Sequence, residues 1–311
     1  MHKLLPLLFL VPAFAADAQF NGRWDITVPQ EARARAWWME IVGAGTPSLK
    51  GKFVGFPGGD MNDIPQLTIQ NGELRFSFDY KDFRSGQQMH RDYRAHLTPQ
   101  GTLAGEMRSS DGQVLQWTGV AAPVITDKDD GTWHDGAPVE LFNHKDLSGW
   151  QGLIPNLPLG WTVKDDAMGN TAGANNLVSD ESFWNFKLHV EYRVGKGSNS
   201  GIGLRGRYEV QILEDYGRPP NKHSNGALYS RIAPAVNASK PPGEWQSYDI
   251  RLIGRTVTVV LNDQKVIDKQ EIEGLTAIAG NADEGKPGPI ILQGDHGPVE
   301  FRKILLTPLT R

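Results

Sequence analysis

The sequence predicts an all-β protein with two domains. Apolar and polar residues alternate with period two along several short segments, which is typical of half-buried strands. Gly (35) and Pro (20) are abundant among the 311 residues, as expected for a chain that turns often between short strands. Hydrophobic residues make up 39% and charged residues 22%, which is the composition of a folded chain long enough for two cores.

The first 18 residues have the layout of a secretory signal peptide. Lys3 precedes an apolar stretch from Leu4 to Phe14, and two Ala-x-Ala frames follow at residues 13–15 and 16–18. The apolar stretch is shorter than the roughly 20 residues that a membrane span needs, so we expect no membrane span. The mature protein is therefore expected to be periplasmic or secreted, and soluble after signal-peptide removal.

Charge and cysteine content exclude several kinds of partner. The formal net charge of -4 gives no reason to expect nucleic acid. The chain has no cysteine, so a disulfide-linked partner, a thiolate metal site and a lipidated N-terminal cysteine are all excluded.

Residues 20–123 are predicted to form a small antiparallel β-barrel or sandwich of unknown role. "QLTIQNGELRF" carries an Asn71-Gly72 turn between alternating segments, and "LTPQGTLAGE" indicates a second hairpin. "EARARAWWMEI" has helical propensity, but its flanks favour a loop that enters a strand. The polar, acidic stretch 124–138 is typical of an exposed linker.

Residues 139–311 carry stronger strand signals. In "FKLHVEYRV" the apolar residues from Phe186 to Val194 occupy alternate positions, and "TVTVVLNDQKVI" predicts a hairpin that turns near Asn262-Asp263. No long amphipathic helical pattern is present. Two packed antiparallel sheets, a concanavalin-like jelly-roll sandwich, are the expected architecture.

One strand of this domain is a candidate for a functional surface. If a single strand starts at Ile202, then Arg205, Arg207, Glu209 and Gln211 project from one sheet face. A solvated convex face would explain this row equally well. The Gly-rich turn before the strand and the long polar loop after it favour the rim of a cleft.

His296 is a second candidate, because it lies in a turn between Gly294 and Gly297 and next to Asp295. Such a histidine is suited to proton transfer, although most exposed loop histidines have no catalytic role. No pair of histidines has the spacing of a metal-binding motif.

At these residues the chain resembles the 3-keto-disaccharide hydrolase family. "VELFNHKDLSGW" is similar to the start of that domain, and "GIGLRGRYEVQIL", "GALYSRIAPAVNASKPPGEWQSYDI" and "PGPIILQGDHGPVEFRKI" follow in the family's order. The resemblance covers residues 139–309. It implies a concanavalin-like fold, a small carbohydrate substrate, and cleavage of glycosides already oxidised at the sugar 3-position.

That reaction requires a base, a donor or cation for the enolate oxygen, and a donor for the leaving group. Glu209 and His296 are the candidates for proton transfer. Arg205, Gln211 and Gln293 could hold the ketosugar, and Tyr229 or Trp245 could stack on it or belong to the core. No cofactor is certain, but a divalent cation held by Glu209 and His296 could polarise the ketone in place of Arg205.

Two alternatives remain open. Laminarinase-like retaining glycosidases carry E-x-D-x-x-E on one strand, and this chain has Glu209 and Glu214 but Gln211 in place of the aspartate. A non-catalytic sugar-binding module would fit the same fold.

The two Ala-x-Ala frames lead to a prediction about processing. The mature chain is expected to start between Ala16 and Phe20, because cleavage follows small residues at the end of the apolar stretch. Mass spectrometry of the exported protein checks this, and an intact Met1 would contradict it.

Overall fold

A computed structural model describes residues 17–31, 35–55, 59–82 and 85–311. Residues 1–16 of the expected signal peptide lie outside the described residues. The chain divides into two compact units, and the division into domains and linker stays a prediction. The first unit comprises Met1–Gln30, Met39–Phe53 and Asn62–Ala121; the second comprises Glu31–Trp38, Val54–Met61 and Ala122–Arg311. In the described part of the chain, no helix is long and apolar enough to cross a membrane.

The first nine strands form one antiparallel sheet in the order β4-β3-β2-β1-β9-β8-β7-β6-β5. Their bounds are β1 Gly22–Thr27, β2 Trp37–Val42, β3 Lys50–Val54, β4 Asn62–Asp63, β5 Thr68–Gln70, β6 Glu73–Lys81, β7 Gln88–Leu97, β8 Leu103–Ser109 and β9 Val114–Ala121, after a 3-10 turn at Ala18–Phe20.

This sheet curls over an aromatic core. Phe53 on β3 lies 5.2 Å from Phe76 on β6 and 5.1 Å from Tyr93 on β7, measured between ring centroids. Since five strands separate β3 from β6 in the sheet order, these rings can meet only if the sheet bends back on itself. The small curled antiparallel β domain agrees with the prediction.

The remaining strands form two sheets. Their bounds are β10 His134–Asp135, β11 Val139–Glu140, β12 Trp150–Gly152, β13 Trp161–Lys164, β14 Ala167–Asn170, β15 Leu177–Phe183, β16 Phe186–Val194, β17 Asn199–Leu204, β18 Tyr208–Leu213, β19 Gln246–Ile253, β20 Thr256–Leu261, β21 Gln264–Glu271, β22 Gly288–Leu292 and β23 Val299–Thr310. The larger sheet has the order β13-β14-β23-β16-β19-β20-β21, and β10 and β11 pair with β23; the smaller sheet has the order β12-β15-β22-β17-β18.

The two sheets pack face to face around one hydrophobic core. The alternate residues Phe186, Leu188, Val190, Tyr192 and Val194 of β16 all point into it, as the alternation predicts. The five-stranded sheet contributes residues from β17, β18 and β22 to the same core. This packing confirms the predicted sandwich of antiparallel sheets.

Two of the predicted tight hairpins have the backbone that their sequences indicate. Asn71 and Gly72 have φ of 53° and 74°, and they join β5 to β6. Asn262 and Asp263 have φ of 49° and 65°, and they join β20 to β21. Two consecutive residues with positive φ are the mark of the type I′ turn, which suits the twist of paired strands.

The expectation of a single strand from Ile202 to Leu213 is wrong. The chain turns back after Leu204, so β17 and β18 are antiparallel neighbours with Leu204 opposite Tyr208. Arg205 and Gly206 at the turn have φ of 53° and 64°. The three-residue loop keeps even-numbered residues on the core side of both strands, which is why the alternation continues through the turn.

The segment 124–138 makes specific contacts with its own unit. Oδ2 of Asp127 accepts hydrogen bonds from Trp184 Nε1 at 2.8 Å and from Asn185 Nδ2 at 2.9 Å. Farther along, His134 and Asp135 pair with the end of β23. Asp127 therefore fixes the start of this segment to the loop between β15 and β16.

The contacts of Asp127 lead to a prediction about how a protease cuts the segment 124–138. Limited proteolysis is expected to cut first between Ile125 and Gly136, and Asp127→Ala should accelerate that cut, because two donors lose their shared acceptor. Val124→Ala is the matched control, since the Val124 side chain is 87% exposed. Fragment masses over a time course give the rates. Equal rates in both variants, or loss of both units together, would contradict the expectation.

Candidate active site

The candidate site lies on the face of the five-stranded sheet that points away from the core. Tyr208, Val210 and Ile212 of β18 enter the core, so Glu209 and Gln211 project to the opposite face. Both are nonetheless buried. The predicted side-by-side placement of Glu209 and Gln211 is what the structure has.

Two glycines of β17 permit close packing here: Gly201 makes room for Glu209, and Gly203 makes room for Ile291. Gly203 pairs with Glu209, and Gly201 pairs with Gln211. A Cβ atom at Gly201 would overlap the carboxylate of Glu209, and one at Gly203 would lie 2.9 Å from Cβ of Ile291. Any larger residue at position 201 would displace the Glu209 carboxylate from its position next to β17.

Glu209 is an unusually placed carboxyl group. The residue is 1% exposed, and its Oε2 has no hydrogen-bond partner among the described residues. With its amide oriented towards acceptors, Gln211 donates from Nε2 to Glu209 Oε1 at 3.2 Å and to the Ser200 carbonyl oxygen at 3.0 Å. Burial raises the pKa of Glu209 to about 8; the charge of Arg35 lowers this pKa and that of Asp295 raises it.

Gln293 follows β22 and lies beside β17, the strand next to β18. Its backbone N–H donates to the carbonyl of Gly201 at 2.9 Å, and its carbonyl accepts from the Ser200 hydroxyl at 2.8 Å. Its side-chain Oε1 is buried and has no partner among the described residues. Two buried oxygens of the site, Glu209 Oε2 and Gln293 Oε1, thus have no hydrogen-bond partner in the part of the chain that the structure describes.

Asparagine side chains hold the turn that carries His296. Oδ1 of Asn176 accepts from the backbone N–H of Gly294 at 2.8 Å and of Asp295 at 3.1 Å. Asn170 Nδ2 donates to the carbonyls of Gly294 and Gly297, at 3.0 and 3.2 Å. These bonds give the turn a defined conformation in the absence of regular secondary structure.

Asp295 orients the imidazole of His296. Nδ1 of His296 lies 2.8 Å from Oδ1 of Asp295, and the histidine side chain is 39% exposed. When Nδ1 carries the proton and donates it to Asp295, Nε2 is left for exchange with a ligand. The expected Asp–His pair is thus present in the turn.

A cavity of about 70 Å³ lies beside the turn that carries His296, and Glu209 and His296 are not among the described residues that line it. Gln293 and Asp295 line it together with Arg35, and Asn176 forms part of its wall. The apolar remainder is supplied by Leu153, Ile154, Leu157, Ala174, Ala277 and Ile278. The wall of this small cavity thus combines apolar side chains with the polar residues Arg35, Gln293 and Asp295.

Tyr229 closes the site on the side of the long polar loop. Its backbone N–H donates to the carbonyl of Glu209 at 2.9 Å, and its ring lies 4.9 Å from that of His223. Nε2 of His223 lies 3.0 Å from Oδ1 of Asp60. Burial raises the pKa of Tyr229 to about 12, and the charges of Glu209 and Asp60 act in the same direction.

Arg205 does not belong to this group of side chains. It is 1% exposed, its guanidinium lies 4.2 Å from the ring centroid of Trp184, and it donates to the carbonyl of Gly254. Its position in the hairpin turn directs it away from the row formed by Glu209 and Gln211. We therefore remove Arg205 from the substrate-binding candidates.

Trp245 lies on the opposite side of the sandwich. Its ring is held between the guanidinium groups of Arg193 at 4.8 Å and Arg302 at 4.5 Å. These arginines project from the outer face of the larger sheet, whereas Glu209 projects from the outer face of the smaller one. Trp245 is therefore also removed from the candidates.

Three members of the site were missed by sequence reasoning. Arg35 and Asp60 lie far along the chain from the motifs that carried the prediction, and His223 lies in the polar loop after β18, where no pattern marked it. "EARARAWW" showed clustered arginines, but nothing in it indicated which of them meets Glu209. Among the described residues, no group of three or more His, Cys, Asp or Glu side chains is placed to hold a metal ion.

Comparisons with known proteins agree with the resemblance seen in the sequence. A curated 3-keto-disaccharide hydrolase of Bacteroides thetaiotaomicron is 26% identical over 166 residues, which cover 42% of this chain and 57% of the relative. The match thus spans little more than half of the length of that relative.

Solved structures with similar folds include a candidate glycosyl hydrolase of Parabacteroides distasonis, at 28% identity and a TM-score of 0.48, covering 60% of this chain and 92% of that one. A carbohydrate-binding module of Bacillus subtilis is 12% identical, with a TM-score of 0.32, and covers 51% of this chain and 92% of that one. The model of the 3-keto-alpha-glucoside-1,2-lyase-like domain matches residues 137–307, more than half of the chain. The chain therefore belongs to the 3-keto-alpha-glucoside-1,2-lyase-like domain family.

Proposed function

We propose that this protein cleaves glycosides that carry a ketone at C3 of the sugar, by removal of the C2 proton, elimination and hydration. The observation that supports this most directly is Glu209, a buried carboxyl with a pKa of about 8 and one oxygen that lacks a partner among the described residues. Family membership and the curated 3-keto-disaccharide hydrolase support the substrate class.

The chemistry follows from the ketone. A C3 carbonyl acidifies the C2–H bond, so a base takes that proton and the bonding pair becomes the C2–C3 enolate. The enolate then forms the C1=C2 double bond and expels the C1 oxygen substituent, which takes up a proton. Water finally adds across the enone, hydroxyl at C1 and hydrogen at C2, so that the net reaction is hydrolysis.

Glu209 is the proposed base. General bases work best when their pKa lies near the working pH, and burial brings Glu209 to that range. A carboxylate in a dry site is also a stronger base than one in water, because solvent does not stabilise its charge. The glycine at position 201 leaves the space that the carboxylate occupies, because a Cβ atom there would overlap Glu209 Oε1.

His296 is the proposed donor to the leaving group. Asp295 fixes its ring through Nδ1, so that a protonated Nε2 is available to the departing oxygen. After elimination, the neutral imidazole can accept a proton from the attacking water. The partial exposure of His296 suits a group that must exchange protons with solvent in each cycle.

The unpartnered oxygens of the site suit the groups of a sugar. Glu209 Oε2 and Gln293 Oε1 have no hydrogen-bond partner among the described residues, and sugar hydroxyls both donate and accept. Tyr229 lies next to Glu209, to whose carbonyl its backbone N–H donates, and the amide of Gln211 donates to the Glu209 carboxylate. A ketosugar would thus complete hydrogen bonds that the described residues leave open.

The retaining-glycosidase alternative has less support. It requires two carboxyl groups about 5 to 5.5 Å apart on one face. Glu214 lies beyond the end of β18, and its Oε2 accepts from the backbone N–H of Gly197 at 3.0 Å. Gln211 stands where that class has its aspartate.

Paired substitutions test the assignment of the base. Glu209→Gln should lower the rate of cleavage of a 3-keto-disaccharide by about 10²–10⁴-fold, because it removes the proton acceptor. Glu214→Gln is the matched control and should retain nearly full activity. Release of monosaccharide measures the rate, with the unoxidised parent disaccharide as a substrate control.

Isotopes separate elimination from direct displacement. A substrate deuterated at C2 should react more slowly when proton removal limits the rate, and solvent deuterium should appear at C2 of the released ketosugar. Cleavage of the unoxidised disaccharide at a comparable rate would refute the elimination mechanism. Sugar binding without any release would favour the non-catalytic module.

The raised pKa of Glu209 predicts the pH dependence. A base acts in its ionised form, so kcat/KM for the 3-keto-disaccharide should rise with pH through a limb near the pKa of about 8 and level off above it. The residual activity of Glu209→Gln should lack this limb. A limb at pH 4 to 5, unchanged in the variant, would show that Glu209 is not the base.

A further inference from the structure

Arg35 lies outside the part of the chain that matches the family model. That match begins at residue 137, whereas Arg35 lies in the segment Glu31–Trp38, which joins β1 to β2 along the chain. By its contacts this segment belongs to the second unit, the unit that carries the candidate active site.

The backbone around Arg35 is held in place within that unit. The N–H of Arg35 donates to Oε2 of Glu31 at 2.8 Å, and the N–H of Ala36 donates to the carbonyl of Ala279 at 2.8 Å. Ala36 and Trp38 pack in a buried cluster with Leu275 and Ala279. The position from which the Arg35 side chain departs is therefore well defined.

The side chain of Arg35 reaches the candidate site. It lines the cavity together with Gln293 and Asp295, and it carries the only positive charge among the described residues that line it. Its charge acts on Glu209 and on Tyr229. Arg205, which the sequence suggested as the cation of the site, is instead enclosed by Trp184 and Tyr208.

We propose that Arg35 is a catalytic residue that binds the C3 ketone oxygen of the sugar and stabilises the enolate. This inference rests on the proposed function and deepens it. Removal of the C2 proton places negative charge on the C3 oxygen, and a guanidinium offers a permanent charge and five N–H donors for it. The neutral amides of Gln211 and Gln293 supply donors but no charge.

The position of Arg35 also gives a role to the part of the chain that precedes residue 137, where the family match begins. Residues 137–307 alone lack this cation, so the segment between β1 and β2 completes the site. A charge aimed at the developing oxyanion in a site that excludes water is among the larger contributions to catalysis.

Arginine variants of the full chain test the assignment. Arg35→Met should lower kcat for a 3-keto-disaccharide by about 10²–10³-fold, the loss found when one oxyanion donor is removed. Arg35→Lys should recover part of the activity, and added ethylguanidinium should partly rescue Arg35→Met. Arg75→Met, on β6 of the first unit and with a side chain that is 66% exposed, is the matched control and should behave like the wild type.

The pH profile adds a readout that a purely structural role would not change. Because the charge of Arg35 lowers the pKa of Glu209, the rising limb of kcat/KM should move to higher pH in Arg35→Met. Thermal unfolding of both variants should resemble that of the wild type. An active Arg35→Met enzyme with an unmoved limb would overturn the inference while leaving the proposed function intact.

A binding experiment decides the role of Arg35 even without turnover. Calorimetry with 3-keto-glucose and with glucose as probes should show a preference for the ketosugar in the wild type, reduced at least about tenfold in Arg35→Met, the equivalent of 1.4 kcal/mol. If the wild-type protein shows no turnover but prefers the ketosugar, and the preference depends on Arg35, the elimination mechanism is refuted and the ketone-binding role of Arg35 is supported. An unchanged preference in Arg35→Met would overturn that role.

Discussion

The burial of one carboxyl group, that of Glu209, is the constraint on which the rest of the site depends. A carboxylate removed from water loses its hydration, and among the described residues Gln211 alone returns a hydrogen bond to it. Burial therefore raises the pKa of Glu209 to about 8, so that the carboxyl group stays protonated until the pH approaches that value. This raised pKa is a consequence of its surroundings rather than of its own chemistry. A group in this state can exchange a proton with a ligand near neutral pH.

Maintaining such a group requires a rigid frame, and the frame is visible in the sandwich. β18 is held on one side by the core residues Tyr208, Val210 and Ile212, and on the other the Glu209 carboxylate lies over Gly201 of β17. The turn that carries His296 is held by asparagine side chains and by a backbone bond from Gly297 N–H to the Asn199 carbonyl of β17. Both proposed reacting groups thus start from positions that packing and hydrogen bonds determine.

Local sequence patterns predicted the strands. The prediction was wrong where one pattern is compatible with two structures. Asn-Gly and Asn-Asp pairs mark turns because these residues accept positive φ, and both hairpins formed as predicted. The turn at Arg205-Gly206 was missed because its three-residue loop preserves the alternation of the flanking strands. The misplacement of Arg205 followed directly, since a residue in a turn does not share a face with Glu209.

The candidate site likewise contains residues that local sequence patterns predict and residues that they do not. Glu209 and Gln211 were predictable because two positions along a strand place side chains on one face. Arg35, Asp60 and His223 were not, since they approach from loops whose course depends on the whole fold. The least visible feature in sequence is the pair of buried oxygens, Glu209 Oε2 and Gln293 Oε1, that have no hydrogen-bond partner among the described residues. Their burial follows from the packing of three strands that are far apart along the chain, which no local pattern records, and the hydroxyl groups of the proposed sugar would be able to bond to both.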